Sequence, residues 1–342
     1  MVTKYIFFLL IHGLCTEVYA DWTIQKNEKY IFQKINDEIR PILLNDNLED
    51  IVLDSNVIFL EDKNLHEDIL SLLNSKDYIE RDTAGKSPNF GYSESKYWGY
   101  FRISEESKIS KDFYLTFNYP LLDFIYVHCY NGVNSVVQFQ AGDHIPLESW
   151  NQKFRKPSFK IPKETKECWI EVISETTYQV SFEINTENNF NELQSKDIFV
   201  QSLYYGGLIT IFIYNFLLFI STKNFLYFLY SLFLASFALF QLSINGFGFI
   251  YIWPEFSFRW NDRALHVFLF FTAISSYLFS FSLLEVNLKP RILKLSIIIL
   301  FIKVPYIFFV YFLSSPLVLD SKLLEYLKLK KILNDSSWKH LL

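Results

Sequence analysis

The chain has 342 residues, enough for two domains, and is 51% apolar and 19% aromatic, with 36 Phe, 22 Tyr and a single Met. Its formal net charge of -5, with no dense block of Lys and Arg, excludes nucleic acid as a partner. The Phe content exceeds that of an ordinary soluble domain and is concentrated in the second half, so the two halves are built for different solvents.

Residues 1–20 have the layout of a secretory signal. Lys4 supplies the positive start, Tyr5 to Leu14 a short apolar core, and Val18-Tyr19-Ala20 a small-x-small cleavage site. The apolar run of about ten residues is too short to cross a hydrocarbon core of about 30 Å, although an uncleaved anchor is the alternative. Export leaves Cys129 and Cys168 in an oxidising compartment. Each lies in a strand-like run, so they either bridge facing strands or stay as two buried thiols. With no CxxC and no Cys/His cluster, the sequence indicates no metal site and no cofactor.

After an N-terminal segment, 21–50, residues 51–187 alternate in strand-length runs rich in aromatic and β-branched residues. These are "NVIFLED", "YWGYFRIS", "DFYLTFNY", "DFIYVHCY", "VVQFQAG", "SFKIP", "CWIEVIS" and "YQVSFEIN". Asn131-Gly132, Gly142-Asp143 and Pro162-Lys163 punctuate them, and "LHEDILSLLNS" at 65–75 has the apolar spacing of a helix. The pattern predicts an all-β sandwich or jelly roll. Residues 188–202 have no strand pattern and read as a linker down to a bilayer.

From residue 203 the period changes. Uncharged runs at 203–222 and 225–244, separated only by Lys223-Asn224, predict a tight helical hairpin through the membrane lipid. Further spans are expected at 264–284 and 295–315, the last interrupted by Lys303 and Pro305. With the N-terminal half exported, Lys223 and the loop carrying Lys289, Arg291 and Lys294 lie inside, in keeping with the positive-inside tendency. The segment "NGFGFIYIWPEF", 245–256, is then the outer turn of the second hairpin. Trp253 is expected at the headgroup layer, with the loop positioned to touch the sandwich above. Gly206-Gly207 and Asn215 are read as helix-packing residues.

The order of "VIFLEDKNLHEDILSL", "NFGYSESKYWGYFRIS", "YPLLDFIYVHCYN", "FQAGDHIP" and "CWIEVIS" resembles the type 2 extracellular domain of the bacterial seven-transmembrane receptors with diverse intracellular signalling modules, the 7TMR-DISM family. The phrases "YYGGLITIFIYNFLLF", "YFLYSLFLASFALFQLSINGFGFIYIWPE" and "WNDRA" resemble the opening of that family's membrane domain. The resemblance implies a jelly-roll ectodomain sensing a small, sugar-like ligand, a bundle of seven spans of which about four are visible here, and an inner-membrane location. Trp98, Tyr100, Asp143, Trp150 and Arg155 are the residues suited to a sugar's apolar face and hydroxyls. Trp98 and Trp169 serve equally as core residues of adjacent strands, whereas Trp150 sits in a polar loop. The family's basic residues after the first tryptophan and near Trp150 and Glu171 are missing, which speaks against an acidic ligand.

The tail, 316–342, is basic and amphipathic in pattern. Either the gene is truncated or frameshifted, or the chain crosses three times and its tail lies on the inner surface. No nucleophile elbow, phosphate loop or HExxH motif is present, so the chain is expected not to be an enzyme. A receptor is the leading expectation. The alternative is a membrane-anchored adaptor that pairs with a separate signalling-output protein. A transporter or membrane enzyme would need more ionisable groups at the midplane than Lys303 and His266.

Overall fold

A computed structural model describes residues 41–284 apart from 45–49, 53–55, 82–87, 105–106, 108–110, 132–134, 175–176 and 255–257. The signal-like segment, the fourth expected span and the basic tail lie outside the described residues, as does most of 21–50.

The exported half is a sandwich of two antiparallel sheets. The larger sheet has the order β3 (Tyr78–Arg81), β2 (Ile58–Asp62), β5 (Lys96–Arg102), β10 (Glu167–Ile173), β7 (Phe124–Tyr130) and β8 (Ser135–Ala141). The smaller sheet runs β1 (Asp50–Val52), β12 (Phe182–Thr186), β6 (Phe113–Phe117) and β9 (Ser158–Ile161). A two-stranded ribbon joins β4 (Asn89–Tyr92) to β11 (Thr177–Gln179). The run "YQVSFEIN", which reads as one strand, is divided between β11 and β12.

Side chains alternate across each strand, so the two sheets interlock through one face each. Phe59, Phe101, Val127 and Ile170 of the large sheet and Leu115, Phe117, Phe182 and Ile184 of the small one are buried together. Burying each Phe here contributes roughly 1.5–3 kcal/mol. Cys129 and Cys168 are directly opposite in the β7–β10 register and are joined by a disulfide, which settles the alternative left open by the sequence.

The outer face of the large sheet is also apolar. Leu60, Trp98, Tyr100 and Trp169 form a second core beneath helix α1 (Ile69–Ser75), which contributes Ile69, Leu72 and Leu73. Asp68 caps this helix by accepting from the Ser71 amide at 2.7 Å, while the Ser71 hydroxyl oxygen accepts from the Asp68 amide.

Three long helices follow: α2 (Glu187–Thr222), α3 (Phe225–Ile244) and α4 (Phe258–Leu283). Each carries a stretch long and apolar enough to cross a membrane. The expected linker at 188–202 is not a loop but the first turns of α2, which starts directly after β12. At 36 residues α2 is about 54 Å long, so roughly 20 of those residues span the bilayer and the rest stand above it. Polar residues such as Asn188, Asn191 and Gln194 do not prevent this helix, because its outer turns are anchored by Phe190, which stacks on Tyr114 with ring centroids 4.5 Å apart.

α3 and α4 pack together through Ser236 and Ser275, whose hydroxyls are 2.9 Å apart, and through Tyr230 against Phe279. Asn215 donates to the Ile211 carbonyl of its own helix rather than to a neighbour. Among the described residues, nothing lies close to the Cα faces of Gly206 and Gly207.

Candidate functional site

Between α3 and α4 the chain leaves the helical hairpin through Asn245-Gly246 and a single wide turn, Gly248–Ile252. This turn enters the base of the sandwich. Phe249 and Ile250 are buried in the same core as Leu122, Ile145 and Trp150. Gly246 has φ +76, and a Cβ there would come within 2.9 Å of Pro120 and close to Arg155. Gly248 gives room to the indole of Trp253, which would lie 2.0 Å from an added Cβ. Trp253 is therefore not a headgroup anchor. It is buried, donates to Asn261 Oδ1 at 3.2 Å, and packs edge-on against Trp260.

Three of the five residues expected to bind ligand meet at this seam. The Asp143 carboxylate accepts from Asn261 Nδ2 at 2.7 Å. Trp150 is buried, donates its indole N–H to the Ile145 carbonyl at 3.1 Å, and packs 5.7 Å from Phe249. Its polar sequence neighbours conceal this burial, because the partner ring comes from a segment about a hundred residues away. Arg155 donates to both carboxylate oxygens of Asp197 on α2, through Nε at 2.6 Å and through Nη2, and its guanidinium lies over Phe247. It also donates to the Asn245 carbonyl at 3.4 Å. One arginine thus ties the sandwich to α2 and to the hairpin turn.

The other two, Trp98 and Tyr100, lie in the second core beneath α1, on the far side of the large sheet. Tyr100 donates to Glu167 at 2.7 Å and stacks on Trp169. The five residues do not form one pocket. Beside Trp98 is a buried ion pair that sequence reasoning passed over: Lys96 Nζ to Glu171 Oε1, 3.1 Å, with both side chains at most 1% exposed. The single basic residue preceding the tryptophan by two, on the same strand face, was its only signal.

Two polar features at the seam stand out. In the first, Asp143 and His144 follow Gly142, whose φ of +127 brings the turn against the Asp123 backbone. One carboxylate oxygen each from Asp123 and Asp143 and a ring nitrogen of His144 lie within 4.8 Å of one another. His144 Nε2 is 2.9 Å from Asp262 of α4. Burial pushes the Asp143 carboxyl well above the usual carboxylate range, and the Asp123 charge pushes it further. For His144, burial works against the charged ring. The charge of Asp123, the hydrogen bond and charge of Asp262 and the charge of Asp143 more than offset this, and its pKa rises to about 10.

The second is an open cleft where the small sheet meets α2. It is lined by Thr116, Phe154, Lys156, Glu183, Asn185, Phe190 and Asp197, among others. Thr116 Oγ1 and Asn185 Nδ2 are buried there without a hydrogen-bond partner among the described residues. Asn185 Oδ1 accepts from Asn189 of α2, which leaves the amide nitrogen for something else.

A β-sandwich continuous with helices long and apolar enough to cross a membrane, and keyed into the turn between two of them, defines a membrane protein with a β-sandwich ectodomain. The comparison with protein families agrees. The family model described as 7TMR-DISM extracellular 2 matches residues 54–186, and that described as 7TM diverse intracellular signalling matches residues 197–326. The chain belongs to the 7TMR-DISM family. No curated protein matches it.

Proposed function

We propose that this chain senses a small, hydroxyl-rich ligand outside a bacterial inner membrane and passes the binding event to its helices through α2. The observation that carries this reading is the cleft at the β6–β12–α2 junction. Its unpartnered Thr116 hydroxyl and Asn185 amide pay the full cost of buried polar groups unless a ligand or solvent engages them. Phe154 and Phe190 line the cleft, whose own space of about 30 Å³ admits a single hydroxyl-sized group, so Asn, Thr and the aromatic groups would hold the edge of a sugar-like ligand lying across its open mouth. A ligand there would touch the last strand of the sandwich and the first turns of α2 at once. It would also lie beside Asp197, the residue through which Arg155 holds α2.

The test is calorimetry of the full chain in lipid nanodiscs against a panel of neutral mono- and oligosaccharides. Binding by the wild type that is lost in Asn185→Ala and Thr116→Val supports the reading. A folded, disulfide-bonded wild type that binds none of the panel removes it.

A further inference from the structure

We propose that Asp123, Asp143 and His144 form a site for one divalent cation of the zinc class, located at the seam between the sandwich and the membrane helices. The donors are already gathered: two carboxylate oxygens and an imidazole nitrogen lie within 4.8 Å of one another, although Asp123 is twenty positions from the Asp143-His144 pair. Asp123 is 1% and Asp143 3% exposed, so two carboxylates sit side by side away from water.

An independent observation points to a missing partner. Asp143 uses one oxygen to accept from Asn261 Nδ2, whereas its Oδ1 is buried and has no hydrogen-bond partner among the described residues. Asp123 is held in place by the Ser174 hydroxyl, which donates to its Oδ1 at 3.0 Å. Buried native carboxylates rarely leave an oxygen unengaged, and a bound ion is one of the standard reasons.

The donor set selects the class of ion. Calcium takes six to eight oxygen ligands, whereas zinc and its neighbours accept a mixed set of imidazole and carboxylate donors. His144 Nε2 is 2.9 Å from Asp262, so binding through the other ring nitrogen would place Asp262 as the carboxylate behind the ring. Such outer carboxylates fix the tautomer and orientation of a ligating histidine. Here the outer carboxylate belongs to α4 and the ligands to the sandwich. Occupancy would therefore tighten the grip of the ectodomain on the membrane half. The Asp262 side chain is 34% exposed and marks the way in.

The experiment uses the full chain in detergent, stripped with a chelator and then loaded with ZnCl2, CoCl2 or CaCl2. Bound metal is counted by elemental analysis after desalting. The wild type is expected to retain about one zinc per chain, and its cobalt form to show the visible absorption of nitrogen- and oxygen-bound Co(II) with fewer than six ligands. Asp143→Asn and Asp123→Asn abolish zinc retention, and Asp262→Asn weakens it roughly 10- to 100-fold. Each variant is first checked for the Cys129–Cys168 disulfide and a cooperative melt. A wild type that retains no zinc, that prefers calcium, or whose cobalt form stays six-coordinate overturns the proposal. So does zinc retention unchanged in a folded Asp143→Asn chain. The wild-type measurements decide the matter even if every variant misfolds.

Discussion

Single residues at the seam carry geometric demands that few substitutions satisfy. Gly142 combines φ +127 with an Asp123 carbonyl oxygen 2.2 Å from where a Cβ would sit, so both backbone strain and a steric clash oppose any side chain. Gly142→Ala should lower the stability of the sandwich by at least ~1–3 kcal/mol, measured by thermal unfolding followed through near-UV circular dichroism; an unchanged melt would mean that the turn relaxes to admit a side chain. Lys96 presents the opposite situation, a charge held fully out of water by Glu171. Lys96→Met leaves Glu171 buried without its lysine, with only His128 Nε2 at 3.8 Å as a charged neighbour in the salt-bridge geometry, and should cost about 3–5 kcal/mol, whereas the double change Lys96→Met with Glu171→Leu should recover much of that loss. If the double variant melts no higher than the single one, the pair is not what the lysine serves. Neither position announces itself in the sequence. Gly142 reads as an ordinary turn glycine, and Lys96 is one more charge at the end of a strand. What makes them critical is the approach of a distant segment.

At the scale of elements, the strands were legible because they are half-buried and alternate, and the spans because the bilayer imposes a length and an apolar composition. The junction between them was not. Residues 188–202 look polar and unpatterned because they form a helix with most of its surface in water, anchored in its early turns by Asn189, Phe190 and Asp197. Continuity from β12 into α2 without a break would let α2 act as a lever instead of a tether in the relay proposed above. Arg155 is the clasp on that lever. It is a partly buried, two-point pair with Asp197, so Arg155→Ala should release the outer turns of α2 from the sandwich. Hydrogen–deuterium exchange of the full chain in nanodiscs should then rise at least several-fold over residues 188–200, with little change in β5 or β10. Uniform exchange across the sandwich would place the effect of Arg155 on folding rather than on the lever.

At the scale of the molecule, the question is whether the sandwich and the helices are two bodies joined by a strap or one body. The five residues with ligand-like chemistry offered no answer in the sequence, since aromatic and charged side chains look alike whether they meet a sugar or another segment of the same chain. The structure separates them. Trp98 and Tyr100 are in a core, while Asp143, Trp150 and Arg155 meet the helical hairpin. The family-specific phrase "NGFGFIYIWPEF" follows the same logic, because it supplies Phe249 and Ile250 to the core of the sandwich. If that core is completed from the membrane side, its stability must depend on residues that lie in the membrane domain. Phe249, 6% exposed, should cost roughly 3–5 kcal/mol when changed to Ala. That loss should appear in the unfolding of the β-sheet signal, not only in the helices. Leu203→Ala is the control, since Leu203 is 70% exposed and is not part of this core. A Phe249→Ala chain whose sandwich melts like the wild type would mean that the two halves fold independently. The observation that α2, the turn and α4 all bear on the sandwich would then describe proximity without coupling. A lowered sandwich melt, with Leu203→Ala unchanged, would establish that a perturbation on either side of the seam is felt on the other, as transmembrane sensing requires.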